Sequence, residues 1–194
     1  MEPKQAYKLI QKCIDGNRKS QSELYQYIYK KLFVVCLRYT SDVNEANEIF
    51  QESAIKIFVK LETYNKTGVF EAWCRRIIVN TALDYIRKRK NIFNTISETK
   101  ITDTPDEDES TGFEIENIDL SAEQLLHLIQ KLSPVYKTVF NLYVFENYSH
   151  KQISEALHIS IGTSKSNLAK ARISLQKMLT NELIKIEKHE TYPY

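Results

Sequence analysis

The residues best suited to binding a ligand lie in the last quarter of the chain, where short polar and cationic side chains alternate with apolar ones. Ser149 followed by Gln152 is a capping box, which predicts the start of a short helix that buries Ile153 and Leu157. His158 then falls where the chain must turn, and His tolerates left-handed backbone better than most residues. The pattern predicts a helix-turn-helix, a module that can place one helix in the major groove of duplex DNA.

A longer second helix is predicted to follow, with Ser160 as its N-cap and an inward stripe of Ser164, Leu168, Ala171 and Leu175. In the major groove, Lys and Asn side chains can reach base edges while other polar side chains anchor phosphates. The face opposite the stripe is therefore predicted to contact DNA; it carries Lys165, Ser166, Asn167, Ala169 and Lys170, with Arg172 near its edge. An ordinary helical hairpin with a solvated polar face would show the same pattern, so this segment alone leaves both interpretations open.

A second candidate surface is acidic and lies in the N-terminal half. Glu45, Glu48 and Glu52 are spaced i, i+3, i+7 and share one face of a predicted helix. Like charges at this spacing disfavour a helix slightly, so a basic partner would explain them. From the residues alone, a solvated face is the favoured explanation.

These residues are positioned by helices, because apolar residues recur at helical spacing over most of the chain. The spacing predicts one helix from Ser22 to about Thr40, a second that follows Ser41-Asp42 and reaches Leu61, and a third from Val69 to about Lys90. Only four Gly and four Pro occur, too few for the turns of a sheet protein. We therefore expect an all-α protein.

The helical pattern is interrupted by an acidic segment with a self-repelling run, residues 102–110. Residues 60–96 carry a net charge of +5, residues 97–123 carry −9, and residues 131–180 carry +5. Basic segments of this kind are candidate phosphate-binding surfaces. The predicted organisation is two small helical domains joined by an acidic flexible linker: residues 1–93, the linker 94–122, a helix-turn-helix domain 123–183, and a short tail 184–194.

The sequence lacks the motifs that are typical of several functional classes. The four His show no metal-ligand spacing with each other or with the three Cys, and neither a glycine-rich phosphate loop nor a nucleophile elbow occurs. We therefore expect no enzyme activity, no metal, no cofactor and no small-molecule substrate. No apolar run reaches the length of a membrane span, and Met1 to Leu9 lacks a signal-peptide core, so we expect no membrane insertion. Cys13, Cys36 and Cys74 are interpreted as reduced core thiols of a cytoplasmic protein.

Motifs in both halves resemble the extracytoplasmic-function (ECF) class of RNA polymerase sigma factors, in the sigma-70 family. In the C-terminal half the resemblance rests on Leu132-Ser133-Pro134, Val139-Phe140, Tyr148-Ser149, Gln152-Ile153, Ile159-Ser160, Gly162-Thr163, Lys165-Ser166, and Ala171-Arg172 with Leu175. In the N-terminal half it rests on the acidic run 42–52 and on the segments 70–80 and 84–90. Departures from the family pattern at Ser154, His158 and Ser164 are each expected to weaken the module slightly, and Asn167 replaces a typical Arg.

The resemblance implies roles for residues at matching positions. The N-terminal domain would bind core polymerase and the minus-10 element, helping to melt the promoter, while the C-terminal domain would read the minus-35 element. The implied core-polymerase contacts are Asp42, Glu45, Glu48, Gln51 and Glu52. The implied minus-10 contacts are Asn65, Lys66, Thr67, Asn80, Asp84, Arg87, Lys88 and Arg89. The implied minus-35 contacts are Ser160, Thr163, Lys165, Ser166, Asn167, Lys170 and Arg172.

The resemblance also implies partners: the clamp of the largest polymerase subunit, the second-largest subunit, promoter DNA in duplex and single-stranded form, and an anti-sigma factor.

The alternative function is a ligand- or partner-regulated helix-turn-helix transcription regulator that binds duplex DNA without core polymerase. Such a regulator would need a sensing domain, usually with strands, whereas residues 1–93 have a helical pattern throughout.

Overall fold

The computed structural model describes residues 3–64, 68–88 and 121–190, and side chains from 5 to 182 within those ranges. All regular elements in these ranges are helices, as predicted, and the chain divides into two compact units, Met1–Lys90 and Asn91–Tyr194. We call them the N-terminal and the C-terminal unit. The predicted linker lies outside the described residues except for Ser121 and Ala122, so its limits stay predictions.

Four helices build the N-terminal unit: α1 (Pro3–Ile14), α2 (Arg18–Tyr39), α3 (Val43–Lys60) and α4 (Phe70–Lys88), with a 3₁₀ turn at Leu61–Thr63. Helices α2, α3 and α4 pack against one another, and α1 packs on α2. The apolar faces meet in a core whose fully buried side chains include Leu24, Ile28, Ile49, Phe50, Ile57 and Ile78. Removing such side chains from water is the main term that stabilises the unit.

Local sequence explains where two of these helices begin. Asp42 caps α3 as predicted, because its carboxylate accepts a hydrogen bond from the Asn44 amide at 2.8 Å. The prediction that α2 starts at Ser22 is wrong, since the helix begins at Arg18. Asn17 caps α2 by accepting a hydrogen bond from the Ser20 amide at 2.9 Å, so the helix begins four residues earlier than predicted. Gly16, with φ +81°, makes the left-handed turn between α1 and α2.

The C-terminal unit contains α5 (Ala122–Lys131), α6 (Pro134–Phe140), a π-helical turn (Asn141–Phe145), α7 (His150–Leu157) and α8 (Ile161–Glu190). Helix α8 packs against α5, α6 and α7, so it is the element that the others surround. Its inward stripe is the predicted one, with Ser164, Leu168, Ala171 and Leu175 each at most 4% exposed. The predicted tail from residue 184 begins inside α8.

The turns of the C-terminal unit follow from its polar residues. The predicted capping box is present, with Ser149 and Gln152 bonding each other's backbone amides at the start of α7. His158 ends α7 in the left-handed region, with φ +55° and ψ +44°, as predicted from its place in the turn. We did not foresee that Asn147 also has φ +55°, although Asn is among the residues that adopt this conformation.

We predict that His158→Gly increases the free energy of unfolding by up to about 1 kcal/mol, because Gly adopts left-handed backbone without the Cβ clash. The gain is bounded since Gly also adds entropy to the unfolded chain. Urea unfolding followed by far-UV circular dichroism measures it. His158→Ala is the control and should lower the midpoint; equal stabilisation by both variants would show that backbone strain at this position is not the cause.

Candidate functional site

The first candidate surface is the N-terminal part of α8. Ser160 caps the helix, accepting from the Thr163 amide at 2.9 Å, and its hydroxyl lies 2.9 Å from the Thr163 hydroxyl. Lys165, Ala169 and Lys170 are exposed and Ser166 is half-buried, which matches the predicted outer face. Two exposed lysine side chains beside short side chains on one helix face can approach phosphates and base edges in a groove.

Asn167 does not lie on this outer face, so that part of the prediction is wrong. Its side chain is 6% exposed, and its amide nitrogen Nδ2 has no hydrogen-bond partner among the described residues. The spacing contained the signal: Asn167 follows Ser164 by three residues and precedes Ala171 by four, which places it on the inward stripe. Its polar side chain suggested the solvent-exposed face.

The two serines that depart from the family pattern both have partners. The Ser154 hydroxyl donates to the Ile159 carbonyl at 2.5 Å across the turn, and the Ser164 hydroxyl lies 2.9 Å from His150 Nδ1. A buried hydroxyl costs stability mainly when it lacks a hydrogen bond. These two bonds therefore offset part of the weakening expected from the polar replacements.

Arg172 is half-buried, and its guanidinium carbon lies 5.8 Å from the centre of the Tyr143 ring. That distance is within the range of a cation–π interaction. The Tyr143 ring in turn stacks on His150 with ring centres 4.8 Å apart. Burial, Lys165 and Arg172 together hold the pKa of His150 below its usual range.

The second candidate surface is the outer face of α3. Glu48 and Gln51 are exposed, Glu45 and Glu52 are half-buried, and Asp42 is exposed at the cap. Sequence reasoning missed that the same face continues into two apolar residues, Ile55 at 66% and Val59 at 76% exposure. The exposed surface therefore combines acidic and aliphatic side chains, a composition suited to binding a protein. We call residues 48, 51, 52, 55 and 59 the α3 stripe.

Two of the acidic residues of α3 have hydrogen-bond partners within the N-terminal unit, which the sequence did not indicate. Glu52 pairs with Lys56 at 2.8 Å, and this hydrogen bond lowers the pKa of the Glu52 carboxyl. A Glu48 carboxylate oxygen accepts from the Tyr85 hydroxyl at 3.3 Å. The charge repulsion that we used as an argument for a basic partner is thus partly relieved inside the unit.

A third group of predicted residues lies on α4. Asn80, Arg87 and Lys88 are exposed, and Asp84 is half-buried. Arg87 pairs with Asp84 at 3.0 Å, while Lys56 of α3 lies 3.9 Å from the other Asp84 oxygen. Lys56 also donates to the Thr81 hydroxyl at 3.2 Å, so α3 and α4 are joined by polar contacts beside these residues.

Four of the implied minus-10 contacts lie outside the described residues and cannot be placed: Arg89, and Asn65, Lys66 and Thr67 in the loop that precedes α4. The residues next to the loop form an aromatic cluster of Tyr64, Phe70 and Trp73, with ring centres 5.2–5.8 Å apart. The Tyr64 hydroxyl donates to the Gly68 carbonyl and so connects the two sides of the loop. Trp73 packs within this cluster against Tyr64 and Phe70.

The described residues contain side chains of the types that form metal sites and reactive thiols. No cluster of three or more metal-ligating side chains occurs among them. All three cysteines are buried and free; burial raises the pKa of Cys36 to about 12 and that of Cys13 to about 11, so these thiols stay protonated. Within the described ranges, no helix combines the length and apolarity needed to cross a membrane.

Comparison with known families matches both units. The model described as sigma-70 region 2 matches residues 24–92, and the model described as sigma-70, region 4 matches residues 122–175. A solved structure, the sigma factor RpoE in complex with the anti-sigma factor NepR from Bartonella quintana, shares 19% identity with a TM-score of 0.47, covering 82% of this chain and 96% of that chain.

Three relatives are similar over nearly their whole length. The ECF RNA polymerase sigma factor SigW of Bacillus subtilis (strain 168) is 27% identical, covering 89% of this chain and 95% of that protein. RNA polymerase sigma factor SigV of the same strain is 29% identical, covering 94% and 98%. The ECF RNA polymerase sigma-E factor of Haemophilus influenzae is 27% identical, covering 90% and 93%. The chain belongs to the sigma-70 family as an ECF sigma factor of RNA polymerase, a transcription initiation factor and not an enzyme.

Proposed function

We propose that the two units contact different parts of a promoter while the protein is bound to core RNA polymerase. The observation that carries the proposal is the order of the two matched regions, region 2 on the N-terminal unit and region 4 on the C-terminal unit, each with an exposed polar surface. The rival regulator would carry a sensing domain in the first half, where a sigma-70 region lies instead. We place this activity in the cytoplasm, where core polymerase acts on bacterial DNA.

The α3 stripe is the proposed docking surface for the clamp of the largest polymerase subunit. Exposed aliphatic side chains flanked by carboxylates supply apolar area for the centre of an interface and charge for its rim. Ile55 and Val59 have most of their surface in solvent, so burial by a partner would be favourable. Asp42 and Glu45 extend the surface toward the start of α3, and the second-largest subunit is proposed as a further contact of the bound factor.

Residues of α4 are proposed to contact the minus-10 element once the strands separate. Lys88 is exposed and Arg87 sits at the surface beside Asp84, so both cations can approach a single-stranded backbone. Asn80 is exposed one turn before Asp84 and offers an amide to a base edge. Asn65, Lys66, Thr67 and Arg89 stay predictions for the same role.

The outer face of α8 is proposed to read the minus-35 element in duplex DNA. Lys165 and Lys170 are exposed and Ser166 lies between them, while Ser160 and Thr163 sit at the N-terminus of the helix. An anti-sigma factor that covers the α3 stripe or this face is the proposed regulator, because such a partner would block polymerase or DNA directly.

Run-off transcription with purified protein, core polymerase and fragmented genomic DNA tests the function as a whole. We expect transcripts that start at defined positions and share two upstream elements, and start-site sequencing would identify them. The protein without core polymerase should give no footprint on these promoters. A footprint that does not need polymerase would favour the regulator.

We predict that Val59→Asp weakens binding to core polymerase by at least about tenfold, since a carboxylate must be desolvated at the interface. Fluorescence anisotropy of the labelled protein titrated with core polymerase measures the affinity. The matched control is Val34→Asp, which introduces the same charge at an exposed valine of α2. Equal loss in both variants, or none in either, would mean that the α3 stripe is not the docking surface.

We predict that Lys170→Ala lowers promoter binding by the holoenzyme and leaves its assembly unchanged. Loss of one phosphate contact should reduce the slope of log affinity against log salt by about 0.9. Gel-shift titrations at several salt concentrations give the slope. Lys177→Ala, which removes an exposed lysine two turns further along α8, is the control; the same change of slope in both variants would indicate a diffuse charge effect and contradict a specific contact.

A further inference from the structure

Four side chains form a cluster that joins α7, the π-helical turn and α8. His150, the first residue of α7, places Nδ1 2.9 Å from the Ser164 hydroxyl on α8. Its ring stacks on Tyr143 with centres 4.8 Å apart and planes 26° from parallel. The Arg172 guanidinium lies 5.8 Å from the Tyr143 ring centre. The cluster therefore contacts α8 at two points, Ser164 and Arg172, about two helical turns apart.

These contacts restrict how α8 can rotate and slide against α7. The Ser164 side chain is 0% exposed, so its hydroxyl depends on His150 for a hydrogen bond that water cannot supply. A hydrogen bond and a ring stack are both directional, whereas the apolar contacts around them tolerate small shifts. Small shifts of a DNA-reading helix would displace Lys165 and Ser166 from the positions they need.

Arg172 is placed differently from the lysines of the outer face. Its side chain is half-buried against Tyr143, while Lys165 and Lys170 are exposed. An Arg held over an aromatic ring keeps its charge and contributes packing through its stem. Its position therefore supports a role inside the unit better than the phosphate contact that sequence resemblance implied.

We propose that His150, with Tyr143 and Ser164, is a positioning residue for α8, and that Arg172 belongs to this cluster and does not contact DNA. The proposal rests on the proposed reading of duplex DNA by α8. It deepens that function by separating the residues that touch DNA from those that orient the helix.

The cluster also makes the stability of the folded state depend on pH. Burial holds the pKa of His150 below its usual value, and the positive charges of Lys165 and Arg172 on α8 lower it further. The folded state therefore binds a proton less readily than the unfolded chain does. The neutral His150 ring therefore contributes to the stability of the folded state. This contribution is fully present above about pH 6.5, the usual histidine pKa, and is lost as the pH falls below it.

The first experiment needs no DNA. Nuclear magnetic resonance titration of the full chain, labelled at histidine nitrogen, should show His150 titrating below the value of an unfolded peptide. Ser164→Ala should alter the Nδ1 signal, and His150→Phe should remove part of the stability loss between pH 7 and pH 5. If His150 titrates as in a peptide and Ser164→Ala leaves its Nδ1 signal unchanged, the cluster does not form and the proposal is overturned.

The second experiment uses holoenzyme and a duplex promoter recovered by the run-off assay. Arg172→Gln and Tyr143→Leu should each lower affinity about fivefold to tenfold with the salt slope unchanged, whereas Lys170→Gln should flatten the slope by about 0.9. His150→Phe combined with Ser164→Ala should lose no more affinity than either alone, because they share one bond. If Arg172→Gln flattens the slope as Lys170→Gln does, Arg172 contacts a phosphate and its place in the proposal is wrong.

The two experiments separate the possible failures. If the wild-type holoenzyme binds no promoter while His150 titrates as expected, the proposed function fails and the cluster remains. If the wild-type protein binds promoters but the variants of His150, Tyr143 and Ser164 bind as tightly, the cluster has no positioning role.

Discussion

The N-terminal unit depends on the packing of α3 against α2 around Phe50. This side chain is 1% exposed and meets the rings of Tyr25, Tyr29 and Phe33 from α2 edge to face, with ring centres 5.1–5.9 Å apart. Aromatic pairs in this geometry add specificity to apolar burial. Because Phe50 points inward, the residues on the opposite side of α3 must face solvent. Burial of one face thereby creates the α3 stripe.

A similar constraint acts on α8 in the C-terminal unit. Its inward stripe is surrounded by α5, α6 and α7, so the outer face is left for Lys165 and Lys170. The turn at His158 sets the direction in which α8 leaves α7, and the Ser154 bond to the Ile159 carbonyl stabilises that turn. Helix caps and one left-handed residue thus present the surface, while apolar burial holds it in place.

Lys56 shows how two surfaces of the N-terminal unit share one set of charges. Its ammonium group is 2.8 Å from Glu52 on the α3 stripe and 3.9 Å from Asp84 on α4. These side chains are partly exposed, so each pair stabilises the fold only modestly. The two contacts lie where the proposed polymerase-binding and minus-10 residues stand side by side on adjacent helices.

Apolar periodicity and polar cap residues were enough to predict the all-α fold, the start of α3 after Asp42, the capping box at Ser149 and the turn at His158. These features depend on contacts within a few residues, which a sequence pattern contains directly. The motifs of both halves also predicted the family correctly, although the contacts assigned to individual residues stay proposals. The interior position of Asn167, the pairing of Glu52 with Lys56 and the cluster around His150 were not predicted. They were decided by tertiary structure, because each depends on which face of a helix meets a neighbour and on which distant side chains that packing brings within bonding distance.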